Sequence, residues 1–161
     1  MTKHQDNHPV VALSQPEQDC LRAIVGCMIP ASAKYGIPGA DDPAIFDDLL
    51  ASIRRDGDAL RNILATVDRE AGGRLADLAP AERCALLTRL REERPGFFGV
   101  VEALTSRAYY RNGAVMRSIG MEPQAPFPKG FDLPQGDLSL LDAVRRRGNI
   151  YRDADVGGDP A

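Results

Sequence analysis

Ser14-Gln15-Pro16-Glu17-Gln18-Asp19-Cys20-Leu21-Arg22-Ala23-Ile24-Val25-Gly26-Cys27-Met28 is the stretch whose reading decides the fold. Ser14 stands three residues before Glu17, the spacing of a capping box, and Pro16 falls in the first turn, where no backbone donor is needed. Leu21, Ile24, Val25 and Met28 then recur at helical spacing. Pro30 stops the run, because a proline ring cannot continue the hydrogen-bond ladder. This is an amphipathic helix with a start and an end, and the same grammar returns downstream.

Asp42 caps a second helix with Pro43 at its first position, and Ile45, Phe46, Leu49, Leu50 and Ile53 form its apolar face. A third helix follows from Asp58 with Leu60, Ile63, Leu64 and Val67 inward, broken by Gly72-Gly73. Pro80 opens a fourth, with Leu86, Leu87 and Leu90 as its stripe, ending at Pro95-Gly96. A fifth runs from about Phe97 to Arg111, and a short piece spans Ala114 to Ile119. Leu138 to Arg147 is one more brief helix, with Leu140, Leu141 and Val144 on one side. No segment alternates in the manner of a strand. The expected fold is all-α: a compact bundle of five to six helices, a long Pro/Gly-rich C-terminal arm and a short final helix. The corresponding organisation is a flexible tail over 1–12, a helical domain over 13–122, a partner-binding arm over 123–153 and a flexible tail over 154–161.

The chain has 161 residues and a formal net charge of −3, with acids and bases interspersed, so it carries no electrostatic footprint for nucleic acid. The cluster Arg145-Arg146-Arg147 suits a helix C-terminus. The longest apolar run, Ala23 to Ala31, is well short of the roughly 20 residues that cross a bilayer. Residues 1–12 contain neither an apolar signal region nor a twin arginine. Cys20, Cys27 and Cys84 match no metal spacing. Cys20 and Cys27 lie about 10 Å apart along one helix axis and cannot bridge each other. Buried reduced thiols are the expectation; a long-range pair with Cys84 is possible without positive support.

Both histidines, His4 and His8, lie in the N-terminal tail, so the body has no imidazole for a Ser–His or Cys–His pair. There is no Gly-rich nucleotide loop and no strand to carry one. Asp41-Asp42 and Asp47-Asp48 are the only close carboxylates singled out, and their places at a helix start account for them. No catalytic, cofactor-binding or metal-binding residue is assigned. Surplus aromatics remain. Phe97-Phe98 and Tyr109-Tyr110 are adjacent pairs, about 100° apart on a helix, and both members are covered only if the helix is buried on two sides. The segment Pro123 to Gly136 holds four prolines yet keeps Phe127, Phe131 and Leu133, a composition for an extended arm lying on a surface. Phe97, Phe98, Tyr109, Tyr110, Phe127, Phe131 and Leu133 are therefore the candidate partner-binding residues.

The order of these features resembles a known family. Leu13-Ser14-Gln15-Pro16-Glu17-Gln18, Ile29-Pro30-Ala31, Ala44-Ile45-Phe46-Asp47-Asp48-Leu49-Leu50, Leu78-Ala79-Pro80-Ala81-Glu82-Arg83, Phe97-Phe98, Ala108-Tyr109-Tyr110, Ile119-Gly120 and Pro126-Phe127-Pro128-Lys129-Gly130-Phe131 resemble the gluconate 2-dehydrogenase subunit 3 family, over Leu13 to Asp153. The resemblance implies a non-catalytic small subunit that binds, stabilises and helps mature an FAD-containing subunit of glucose–methanol–choline type. That partner would oxidise a sugar, sugar acid or alcohol and hold the FAD, and a multihaem cytochrome c often carries its electrons onward. Such complexes are periplasmic or membrane-associated through their partners, whereas residues 1–12 hold no export signal, so a cytoplasmic complex also fits. Two other expectations stand beside this one: a cytoplasmic helical adaptor unrelated to redox chemistry, and a small enzyme using Asp41 and Asp47 with a recruited metal.

Overall fold

A computed structural model describes residues 12–54, 56–123 and 136–148 of the chain. The described residues form an all-α protein of seven α-helices. They are α1 (Gln15–Met28), α2 (Pro43–Ser52), α3 (Gly57–Glu70), α4 (Pro80–Glu93), α5 (Gly99–Tyr109), α6 (Gly113–Ser118) and α7 (Asp142–Arg147). Single 3-10 turns occupy Leu75–Asp77 and Leu138–Leu141. Of the described residues, those up to 123 belong to one compact unit, and 136–148 belong to a second. The expected tails over 1–11 and 154–161, and the arm over 124–135, lie outside the described residues.

Helix starts follow their caps. At α1 the Glu17 carboxylate takes both the Ser14 N–H and the Ser14 hydroxyl, each at 2.7 Å. Those bonds to the charged form lower the Glu17 pKa below its usual value, with Arg61 adding a smaller pull in the same direction. At α2, Asp42 accepts the Ala44 N–H at 3.0 Å. At α4 the capping residue is Ala79, which has no side-chain oxygen. Only Glu82 reaches back, accepting the Ala79 N–H at 3.2 Å.

The core of the first unit is built mostly from the stripes expected from sequence, with Met28, Leu50 and Leu86 only half-buried against it. Leu21, Ile24 and Val25 of α1 meet Ile45, Phe46 and Leu49 of α2, Leu60, Leu64 and Val67 of α3, and Val101 and Leu104 of α5, all buried. Burial of this much apolar side chain from water is what holds the helices together. α4 contributes less: Leu87 and Leu90 are its buried residues, against five on α3. The difference leaves α4 with the fewest buried residues of the five long helices.

The link between α1 and α2 is shaped by close backbone approach. Ser32 and Ile37 exchange two backbone hydrogen bonds, 3.0 and 3.2 Å, and Ala40 N–H reaches Ile29 O at 2.8 Å. The backbone at Gly39 passes so near Ile29 and Ala31 that a side chain there would meet Ala31 N at 2.9 Å and Ile29 O at 3.2 Å. Only glycine fits without displacement.

Two expectations are corrected. Cys27 and Cys84 form a disulfide joining α1 to α4, with Cα atoms 5.5 Å apart, so the chain does not hold three reduced thiols. Cys20 alone is free. It is buried beside Leu64 O, and burial, reinforced by the Asp68 carboxylate, raises its thiol pKa and keeps it protonated. The second correction concerns Phe97 and Phe98, which precede α5 in a tight turn instead of lying within a helix. Gly96, with φ 82°, makes that turn, so the 100° helical spacing argued for this pair does not apply.

Candidate partner surface

α5 carries aromatic pairs just before its start and across its end, and at each pair the two members part company. Phe98 is buried, while Phe97 is half-buried and stacks edge-on against it, ring centroids 4.8 Å apart. Tyr109 is buried, and its hydroxyl donates to Pro38 O at 3.1 Å, tying the end of α5 to the α1–α2 link. Burial, and secondarily the Tyr110 phenol, raise the Tyr109 pKa, which keeps the hydroxyl a donor. Tyr110 is 54% exposed. Phe98 and Tyr109, expected to face a partner, thus belong to the chain's own core. Phe127, Phe131 and Leu133 lie outside the described residues.

An exposed apolar set remains at this end of the unit. Tyr110, Ile119 and Met121 are each more than half exposed, and they lie on the segment that leads to Pro123 and the arm. The scaffold beneath them is held by polar bonds. Arg111 donates to Asp48 at 2.8 Å and to Ser52 at 2.6 Å, fastening the end of α5 to α2. Asn112 caps α6 by accepting the Ala114 N–H at 2.9 Å. In the second unit the helical piece from Leu138 to Arg147 buries none of its residues, and Leu138, Leu140, Leu141 and Val144 are exposed.

Polar chemistry in the described body is self-contained. Among the described residues no buried side-chain nitrogen or oxygen lacks a partner, and no group of three or more His, Cys, Asp or Glu side chains gathers to hold a metal. Asp48 is spent on Arg111, and Asp42 on its cap. Asp41 and Asp47, the carboxylates of the metal-enzyme expectation, are both exposed. Among the described residues no helix is long and apolar enough to cross a membrane.

Two clefts flank the disulfide. One, of about 320 Å³, lies between α1, α4 and the turn before α5, with Ile24, Met28, Leu87 and Phe98 as its apolar wall. The other, of about 630 Å³, opens on the far side of the same two cysteines, with Arg22 and Arg83 on its rim. Both guanidinium groups are engaged: Arg22 donates to Asp41 O at 2.8 Å and lies 4.0 Å over the Phe46 ring, and Arg83 donates to Ala76 O at 2.6 Å. The sequence carried no signal for this arrangement, since pairing Cys27 with Cys84 requires knowing that α1 and α4 are neighbours.

No protein-family model, curated protein or solved structure matches this chain. The resemblance drawn from the sequence therefore stands on the order of its own motifs.

Proposed function

We propose that this chain is the non-catalytic small subunit of an FAD-dependent dehydrogenase complex whose large subunit is of glucose–methanol–choline type. The observation that carries the reading is the ordered set of motifs from Leu13 to Phe131, in which Pro126-Phe127-Pro128-Lys129-Gly130-Phe131 follows Ile119-Gly120 in the sequence. The exposure of Tyr110, Ile119 and Met121 on the approach to that arm supports it, because an assembled subunit needs apolar area to bury. On this reading Phe97, Tyr110, Phe127, Phe131 and Leu133 face the flavoprotein, and Phe98 and Tyr109 hold the helices that present them.

The mechanism is mass action. A partner that binds only the folded, FAD-loaded large subunit raises that state's population, so it stabilises and matures an enzyme without touching the substrate. FAD, substrate site and any link to a multihaem cytochrome c belong to other chains. On this reading a Cys27–Cys84 bridge that stays closed favours an oxidising compartment over a reducing cytoplasm.

Native purification tests the reading. The full chain should recover a yellow complex containing a flavoprotein several times its mass. Phe127→Ala combined with Phe131→Ala should lower flavoprotein yield or activity while leaving helicity unchanged. A colourless monomer, soluble and well folded alone when the candidate large subunit is co-expressed, would refute it.

A further inference from the structure

The Cys27–Cys84 bond is not sealed inside the protein. Cys84 is exposed and Cys27 half-buried, and a cleft opens on either side of the pair. Access of this kind is what separates an exchangeable disulfide from an inert one. The helix it fastens also has the fewest buried residues of the five long ones. α4 buries only Leu87 and Leu90, and its polar ties to α3 are the half-exposed pairs of Arg94 and Arg89 with Glu70, at 2.8 and 4.0 Å. Exposed pairs contribute little. The other long helices are each packed through three to five buried residues.

We propose that Cys27–Cys84 is a redox latch on α4: a soluble dithiol opens it in the folded protein, and α4 then loosens from α1 while the packing of α1, α2, α3 and α5 persists. The chemistry is ordinary exchange. A thiolate of the dithiol attacks Cys84 Sγ, a mixed disulfide forms, and Cys27 leaves as a thiolate and takes up a proton. The second thiol of the reductant then attacks the mixed disulfide, so the dithiol departs oxidised and both cysteines are left reduced. Loosening exposes the apolar wall formed by Ile24, Leu87 and Phe98, each less than 9% exposed while the latch is closed. Redox state would thereby set how much apolar surface this face presents. The proposal is independent of the assembly reading above, and its test needs no partner.

The experiment uses the full chain without denaturant. Dithiothreitol followed by a maleimide should label two sites, Cys27 and Cys84, and leave buried Cys20 untouched. Amide exchange over 84–93 should then quicken roughly a hundredfold, the scale of a lost long-loop cross-link, with 60–67 unchanged. Cys27→Ser combined with Cys84→Ser should reproduce that pattern without reductant. If this variant fails to fold, exchange on the reduced wild-type chain decides alone. Reduction that occurs only in denaturant, a third label on Cys20, exchange rising evenly through every helix, or exchange not rising at all would each overturn the latch.

Discussion

Replacing Gly39 by alanine tests the closest backbone approach in the unit. The new Cβ would stand 2.9 Å from Ala31 N and 3.2 Å from Ile29 O, and would also run into the Asp41 carboxylate. Asp41 is exposed and can swing away, but Ile29 and Ala31 meet the methyl group with main-chain atoms. Relief requires the two strands of the link to separate, which lengthens the 2.8 Å bond from Ala40 N–H to Ile29 O. Overpacking of this kind costs about 1–3 kcal/mol, and a weakened backbone bond adds about 1 kcal/mol. The sum is about 2–4 kcal/mol, or a fall in Tm of about 4–16 °C for a domain of this size. Urea and thermal unfolding followed by circular dichroism measure it directly. Gly73→Ala is the control: nothing lies within 4 Å of its Cβ position, so the change should leave stability level or raise it by up to about 1 kcal/mol. A Gly39→Ala protein within about 0.5 kcal/mol of wild type, the range of an ordinary surface substitution, would refute the reasoning.

Two further outcomes follow from the helix starts. Ala79 already has the extended cap conformation, φ −63° and ψ 149°, and already receives Glu82, so Ala79→Ser should supply the missing acceptor and stabilise by about 1 kcal/mol; an unchanged urea midpoint would contradict this. Glu17 has a folded pKa below its unfolded one, so its contribution is complete above the unfolded value and is lost as pH falls through the folded value. The stability gap between wild type and Glu17→Gln should therefore narrow on acidification, and a gap that stays constant with pH would show that the Ser14–Glu17 bonds are not its source.

Much of the bundle was legible because its signals are local. Ser14, Asp42 and Pro80 announce helices that begin within a residue of the expected place, and most of the stripe residues read from α1 to α4 are buried, whereas Leu140, Leu141 and Val144 of the last helical piece are exposed. The failures share one cause, dependence on contacts far apart in sequence. Tyr109 looked surplus because its partner, Pro38 O, lies 71 residues away. The Cys27–Cys84 bond spans 57 residues and rests on a helix adjacency that periodicity does not report. Phe97-Phe98 failed for a different reason: two apolar residues beside Val100 and Val101 fit a helix pattern, whereas Gly96 and Gly99 on either side supply a turn. Of the surface, Tyr110 was legible, while Ile119 and Met121 were not, since single apolar residues near a helix end say nothing about cover.

The piece from Leu138 to Arg147 has a consequence for how this polypeptide exists in solution. Ten residues of helix that bury nothing are below the length at which a peptide sustains helicity in water by itself. Cutting the chain after residue 122 should therefore leave the melting of the first unit unchanged, because none of the core that holds that unit together comes from the removed piece.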